Sequence, residues 1–205
     1  MKKLLLFPYS GSAIEALDCI DGQYECVGFI SDDPSLIGTS AYGIQIFNRD
    51  ILTKESEAFV LAVPGSPVSF LKRKAIIDGL NIPNERFATL IHPKASVSRN
   101  ASVGFNTVIM SGVVITSNAK VGNHVCILPN TVIHHDSTIG DFTLIGANVT
   151  VAGNTTIEEY CYLGAASSII NGITIGEKTL VGIGSNVIKS VAANSRIVGN
   201  PAKLI

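Results

Sequence analysis

The aliphatic residues in the second half of the chain follow a strict six-residue period. Between residues 91 and 187 every sixth position is aliphatic, and all but one of these seventeen residues are β-branched. A period of six fits neither an α-helix nor a simple alternating strand. It is typical of a parallel β-helix, in which three short strands and three turns make one coil. The positions are Ile91, Val97, Val103, Ile109, Ile115, Val121, Ile127, Ile133, Ile139, Ile145, Val151, Ile157, Leu163, Ile169, Ile175, Val181 and Val187.

A second set of small or medium-sized residues follows each aliphatic position by four. We expect the aliphatic side chains to point inward and the smaller ones to pack near the corners. Equal positions of successive coils would then bury one continuous core. The second set is Ala95, Ala101, Thr107, Val113, Ala119, Val125, Thr131, Ser137, Thr143, Val149, Thr155, Cys161, Ser167, Ile173, Thr179, Ser185 and Val191.

Residues 1–88 do not share the six-residue period and predict a small α/β unit. Apolar runs indicate three strands, and helical spacing indicates two helices that alternate with them. This order is typical of a doubly wound, Rossmann-like unit, in which ligands bind beyond the carboxyl ends of the strands. The strands are predicted at 4–7, 24–30 and 59–63, and the helices at 13–20 and 68–80.

Three loops would converge at that edge of the sheet, namely 8–12, 31–34 and 64–67. The first contains one glycine, Gly11, where a dinucleotide fingerprint needs three closely spaced glycines. A full dinucleotide site is therefore disfavoured. A nucleotide-sugar site, with backbone amides facing a phosphate, fits this loop, and so do ordinary turns.

The composition limits the partners and the location of the protein. The 205 residues carry a formal net charge of −1, which gives no electrostatic basis for binding nucleic acid or an anionic membrane. No apolar run is long enough for a membrane span, and the run after Lys3 is too short for a signal peptide. The four cysteines form no CxxC pair and suit a reducing compartment. We therefore expect a cytoplasmic protein.

Four segments of the chain resemble a known family. They are VGFISDDP at 27–34, ATLIHPKASVS at 88–98, NTVIHHDSTIGDFTLIGANVTVAG at 130–153 and VGNPAK at 198–203. Together they resemble the bacterial sugar O- and N-acetyltransferases of the sialic acid and bacillosamine pathways, which are hexapeptide-repeat acyltransferases.

The resemblance implies a fold and an assembly. Residues 1–88 would form an N-terminal Rossmann-like, nucleotide-sugar-binding domain. Residues 89–205 would form an all-β left-handed parallel β-helix, the acetyltransferase domain, with a C-terminal cap. The family likeness also implies a homotrimer that binds acetyl-coenzyme A between neighbouring β-helices and uses no metal.

The resemblance also implies a general base. The family segment of the form aliphatic-x-His-acid-x-x-Ile-Gly corresponds to residues 133–140, which places the base at His135 and its acidic partner at Asp136. A neutral imidazole can accept the proton of a sugar amine or hydroxyl that attacks the thioester. Because neighbouring strand residues point opposite ways, a direct contact between the two side chains requires a turn that rotates one of them.

The positions that correspond to ligand-binding residues of the family are spread over both parts of the chain. For the coenzyme they are Leu144, Ala165 and Ile183. The first acceptor loop departs from the family's Gly-x-x-Gly-His and reads PYSGS at 8–12, so the resemblance leaves the acceptor itself open. The implied acceptor-binding residues are Ser10, Gly11, Ser12, Asp32, Asp33 and Gly65.

We therefore expect an acetyltransferase that acts on an amino group of a nucleotide-linked sugar. O-acetylation of a sialic acid or a polysaccharide sugar is an alternative, and a non-catalytic trimeric scaffold is another. A metal-dependent hydratase would need three converging histidines. His124 and His135 are eleven residues apart and so lie at different corners, and His92 lies near the base of the β-helix.

Overall fold

The computed structural model describes residues 1–205. Its N-terminal part contains one five-stranded sheet with the strand order β3-β4-β2-β1-β5. All neighbouring strands are parallel except the edge pair β3 and β4. The elements are β1 Lys2–Phe7, α1 Gly11–Glu15, β2 Tyr24–Ile30, β3 Ser40–Ala41, β4 Ile44–Phe47, α2 Ile51–Lys54, β5 Phe59–Ala62 and α3 Arg73–Asp78.

The three predicted strands are present as β1, β2 and β5, but the sheet is mixed and the Rossmann-like assignment is not confirmed. The two predicted helices are shorter than expected. The first becomes a 3₁₀ turn at Ala16–Cys19, and the second begins as a 3₁₀ turn at Phe70–Lys72. The sequence analysis missed the β3–β4 hairpin. Its turn residues Tyr42 and Gly43 both have positive φ angles, the conformation of a tight two-residue hairpin turn.

From residue 90 onward the chain forms a β-helix of two-residue strands. Each strand pairs in parallel with the strand 18 residues later, so that Val114 lies opposite Val132. The pairs make three stacked parallel sheets, and the hexapeptide repeat with this stacking fits a left-handed β-helix. The strands are β6 Leu90–Ile91, β7 Ser96–Val97, β8 Ser102–Val103, β9 Val108–Ile109, β10 Val114–Ile115, β11 Lys120–Val121, β12 Cys126–Ile127, β13 Val132–Ile133, β14 Thr138–Ile139, β15 Leu144–Ile145, β16 Thr150–Val151, β17 Thr156–Ile157, β18 Tyr162–Leu163, β19 Ser168–Ile169, β20 Thr174–Ile175, β21 Leu180–Val181 and β22 Asn186–Val187.

The predicted inward positions form the core of this β-helix. Every one of them from Ile109 to Val187 is buried and belongs to one continuous hydrophobic cluster. Val97 and Val103 are half-buried, and Ile91 is 38% exposed. The first positions are less buried because they lie in the first coil, which has a neighbour on one side only.

Each corner contains a residue with a positive φ angle, three positions after the inward residue. Glycine and asparagine adopt this left-handed conformation most easily, and they occupy more than half of these positions. The sequence thus carried a second six-residue signal that was not used. The corner residues are Asn106, Gly112, Asn118, His124, Asn130, Asp136, Phe142, Asn148, Asn154, Tyr160, Ala166, Gly172, Lys178 and Gly184.

The hydroxyl groups in the second set of repeat positions join successive coils. Thr131 Oγ1 donates to the carbonyl of Gly146 at 2.8 Å, and Ser137 Oγ donates to the carbonyl of Ala152 at 2.9 Å. These buried hydroxyls therefore lie at the corners without an unsatisfied polar atom. The mixture of hydroxyl and aliphatic residues in this set follows from the two ways of filling a corner.

The N-terminal part packs against the outward side of the sheet formed by β6, β9, β12, β15, β18 and β21, which we call the docking sheet. Its outward residues Leu90, Val108, Cys126 and Leu144 are buried in one cluster with residues of β1 and β5. Each directly precedes an inward position, and they recur every 18 residues. The boundary expected between residues 88 and 89 thus borders a shared core, and the division into two domains stays a prediction.

Two strands close the last coil. Strand β23, Arg196–Gly199, pairs in parallel with β21, and strand β24, Ala202–Leu204, pairs antiparallel with β23. An atypical terminal repeat of this kind covers the end of a stacked core. None of the helices has the length and apolar character needed to span a membrane.

Candidate active site

His135 lies on the surface of the β-helix, at the corner that follows β13. The side chain of His135 is 62% exposed and that of its neighbour Asp136 is 49% exposed. Asp136 has a φ angle of 59°, the left-handed conformation found at each corner. This turn rotates the carboxylate toward the imidazole, and His135 Nδ1 lies 2.8 Å from Asp136 Oδ2. The structure therefore brings the predicted pair into direct contact.

Asn118, one coil earlier at the same corner, completes a short hydrogen-bonded chain. Its Nδ2 donates to Asp136 Oδ1 at 3.0 Å, so that the two carboxylate oxygens serve different partners. The hydrogen bond from His135, followed by the one from Asn118, lowers the pKa of Asp136 below its ordinary value. An ionised carboxylate on Nδ1 fixes the ring orientation and leaves Nε2 free.

The free side of the imidazole lies against Gly153, one coil after His135. A Cβ atom at residue 153 would come within 2.7 Å of both Nε2 and Cε1 of His135. Only glycine leaves this position open without displacing the ring. The N–H of Gly153 makes no hydrogen bond within the chain, while its carbonyl accepts the N–H of Gly172 at 3.1 Å. The sequence analysis did not single out Gly153, although its spacing of 18 from His135 was visible.

The other histidines lie in different surroundings. His124 is buried at a corner next to the docking sheet, stacked on Phe142 at a centroid distance of 4.4 Å, and its Nδ1 lies 2.8 Å from Asn106 Nδ2. His92 is at the base of the β-helix, where its Nδ1 accepts the N–H of Lys94. His134 precedes His135 and is half-buried. No group of three or more histidine, cysteine, aspartate or glutamate side chains converges in a way that could hold a metal ion.

Two of the three predicted coenzyme positions lie at one corner of the β-helix. Ala165 and Ile183 are one coil apart, and Ile183 is 75% exposed. Each lies directly over a glycine of the preceding coil, because a Cβ atom at Gly146 would reach the N atom of Ala165 at 2.5 Å, and one at Gly164 would reach that of Ile183 at 2.5 Å. The glycines allow the coils to stack closely here, so backbone groups line the corner.

The third coenzyme position, Leu144, lies elsewhere. It is in the docking sheet, only 9% exposed, and faces the N-terminal part. A Cβ atom at Gly65 would come within 2.9 Å of Leu144 Cδ1. The structure therefore joins a predicted coenzyme position to a predicted acceptor position.

The three loops predicted to bind the acceptor do converge at one edge of the sheet. They follow β1, β2 and β5, which are adjacent and parallel. The N–H of Tyr9 donates to the carbonyl of Ile30, and the N–H of Val63 donates to the carbonyl of Phe7, each at 2.7 Å. In the first loop, Ser10 caps α1 by accepting the N–H of Ala13, and Gly11 and Ser12 begin that helix.

The acidic loop is held by its own hydrogen bonds. Asp33 accepts hydrogen bonds from the hydroxyl and the N–H of Ser35, which lower its pKa. Asp32 forms a two-point ion pair with Arg49, at 2.6 and 2.7 Å. Arg49 also donates to the carbonyl of Gly79 at 2.7 Å. The carboxylate of Asp32 is thus already paired, a contact between distant segments that the sequence analysis did not anticipate.

Comparison with known proteins places this architecture in a recognised class. The model of the bacterial transferase hexapeptide (six repeats) matches residues 100–135, 118–153 and 136–171, a segment that contains His135 and Gly153. The central coils are therefore bacterial transferase hexapeptide repeats. No curated protein sequence matches the chain significantly.

Several solved structures share the fold over the whole chain. The acetyltransferase domain of PglB from Neisseria gonorrhoeae, in complex with acetyl coenzyme A, has 22% identity and a TM-score of 0.87, covering 100% of this chain and 99% of that one. PerB from Caulobacter crescentus, in complex with CoA and GDP-perosamine, has 22% identity and a TM-score of 0.84, covering 100% and 97%. WeeI from Acinetobacter baumannii AYE has 22% identity and a TM-score of 0.84, covering all of both chains. At this identity the likeness establishes the fold.

Proposed function

We propose that the protein is an acetyltransferase that moves the acetyl group of acetyl-coenzyme A to an amino group of a nucleotide-linked sugar. The observation that carries the proposal is the contact between His135 and Asp136 on the exposed face of a transferase hexapeptide repeat. The likeness in fold to PglB with acetyl coenzyme A and to PerB with GDP-perosamine supports both substrate classes. The resemblance in the four sequence segments points to the same family.

In the proposed mechanism, His135 acts as a general base through Nε2. Nε2 takes the proton as the sugar nitrogen attacks the thioester carbonyl, the new C–N bond forms, and the C–S bond breaks. The proton then passes to the leaving sulfur, so the enzyme returns to its starting state. Asp136 holds Nδ1 and stabilises the imidazolium that forms. The unpaired N–H of Gly153, beside Nε2, is suited to bind the carbonyl oxygen as negative charge develops there.

The expected binding residues keep their proposed roles. Ala165 and Ile183 would meet the coenzyme along an open corner, and Leu144 would contact it from the docking sheet. The acceptor would lie against the converging loops through Ser10, Gly11, Ser12, Asp32, Asp33 and Gly65. Convergence of these loops at a single sheet edge supports this assignment.

The protein is proposed to act as a homotrimer in the cytoplasm. Ile170 and Ile188, one coil apart on the sheet that carries His135, are both exposed and extend an apolar surface along the β-helix. Such a surface suits a neighbouring copy. Sedimentation equilibrium should give a mass three times the 21.6 kDa of the chain. A monomer at micromolar concentration would contradict the trimer and leave the chemistry of His135 to be tested separately.

The experiment that tests the function is thiol release from acetyl-coenzyme A by purified protein. The acceptors are UDP-, dTDP- and GDP-linked amino sugars together with free sialic acid. Turnover with an amino sugar, lost by a factor of about 10² or more in His135→Ala, is the expected result. His92→Ala serves as the matched control, because His92 lies at the base of the β-helix.

The other outcomes distinguish the alternatives. Turnover with sialic acid alone would replace N-acetylation by O-acetylation. A protein that binds no acetyl-coenzyme A and releases no thiol would be a scaffold. Wild-type turnover by His135→Ala would remove the base from the mechanism.

A further inference from the structure

Arg73, in α3, joins the loop after β5 to the β-helix. Its side chain is completely buried. Nη1 donates to the carbonyl of Pro64, and Nη2 donates to the carbonyl of His124 at 2.6 Å. Neither carbonyl accepts another hydrogen bond from the chain. A single guanidinium therefore connects the first residue of this loop to a corner of the β-helix.

This cation has no anionic partner. None of the ion pairs of the protein includes Arg73, and its Nε is buried without an acceptor. The thiol of Cys126 acts on it electrostatically, but burial raises the pKa of that thiol to about 11 and keeps it protonated. A buried charge held only by carbonyl dipoles costs free energy. Its role is therefore better sought in the geometry that it fixes than in stability.

The loop that Arg73 holds touches both binding regions. Gly65 has a φ angle of 129°, and a Cβ atom there would come within 3.1 Å of Arg73 Cγ and Cδ and within 2.9 Å of Leu144 Cδ1. The backbone of the loop is thus enclosed between the arginine stem and the docking sheet. A shift of the guanidinium would move the loop relative to β15.

We propose that Arg73 is a positioning residue that sets the place of the 64–67 loop, and hence of the acceptor, relative to the coils that carry His135 and the coenzyme positions. This inference rests on the proposed function. It follows that loss of the two carbonyl contacts weakens use of the acceptor and leaves the coenzyme site unchanged.

The test compares Arg73→Lys, Arg73→Gln and Arg73→Met with the matched control Arg99→Met, since Arg99 is an exposed arginine of the β-helix with no hydrogen bond from its side chain. In the three Arg73 variants, KM for the amino-sugar acceptor should rise about tenfold or more, as expected when a remote change misplaces a substrate. KM for acetyl-coenzyme A should stay within about twofold of wild type. Arg99→Met should match wild type in both.

Thermal melting identifies any variant that fails to fold. Arg73→Lys and Arg73→Gln each keep one donor and carry the test if Arg73→Met is unstable. Folded variants with an unchanged KM for the acceptor would overturn the inference while leaving the proposed function intact. An equal rise in both KM values would also overturn it. A wild-type protein without turnover would instead overturn the proposed function, and this inference with it.

Discussion

The imidazole of His135 lies against the backbone of Gly153, one full coil later, and a Cβ atom at Gly153 would come within 2.7 Å of Nε2. We expect Gly153→Ala to displace the ring from its place beside Asp136. Because the ring is at the surface and can move, the fold should survive. The value of kcat should fall by about 10- to 100-fold, the loss typical of a misplaced catalytic group. Steady-state kinetics and thermal melting measure the two effects.

Gly172→Ala is the matched control for this variant. Gly172 also lies one coil from Gly153, and nothing is within 4 Å of the place where its Cβ would be, while its positive φ adds some strain. It should lose a little stability and keep its activity. Equal loss of activity in both variants would mean that strain in the coil, and not contact with His135, is responsible.

Asp136 should affect the rate through its charge. Hydrogen bonds from His135 and Asn118 lower its pKa, so the carboxylate stays ionised at every pH above its usual titration range and protonates only below it. Asp136→Asn keeps an acceptor for Nδ1–H and removes the charge, and kcat should fall about tenfold or more. Asn118→Ala should cause a smaller loss, because the contact with His135 remains. A pH–rate profile of Asp136→Asn identical to that of wild type would contradict this role.

His124 should make folding stability depend on pH. Burial, followed by the charge of Arg73, lowers its pKa from 6.5 to about 4. The unfolded chain then binds a proton between these values that the folded chain does not, so stability is lost as the pH falls from about 6.5 toward 4. The loss attributable to His124 is about 3 kcal/mol at most. Urea unfolding at pH 7 and pH 5 should show a smaller difference in His124→Phe than in wild type.

The period of six predicts which residues carry the stability of the β-helix. Ile157 is fully buried in the continuous core, and its neighbour Thr156 points outward. Ile157→Ala should lower the free energy of unfolding by about 2–5 kcal/mol. Thr156→Ala should change it by about 0.5 kcal/mol or less, as is usual for an outward residue without a special contact. Similar losses in the two variants would contradict the inward assignment.

The sequence by itself determined the repeat, the inward residues and the position of the candidate base. These features depend on a local pattern, because each coil repeats the same six-residue geometry. The strands β1, β2 and β5 were also predictable, since each is a short apolar run. The hairpin β3–β4 was missed because its strands have only two and four residues.

Only the tertiary structure decided how the two parts of the chain meet. The outward residues of the docking sheet recur every 18 residues, so their common face appears only when the coils are stacked. The contact of His135 with Gly153 depends on the same stacking, and the rotation of Asp136 depends on the left-handed corner. Arg73 lies 51 residues from His124, its partner across the two parts. No local pattern encodes such a contact, because it depends on where the sheet of the N-terminal part packs against the β-helix.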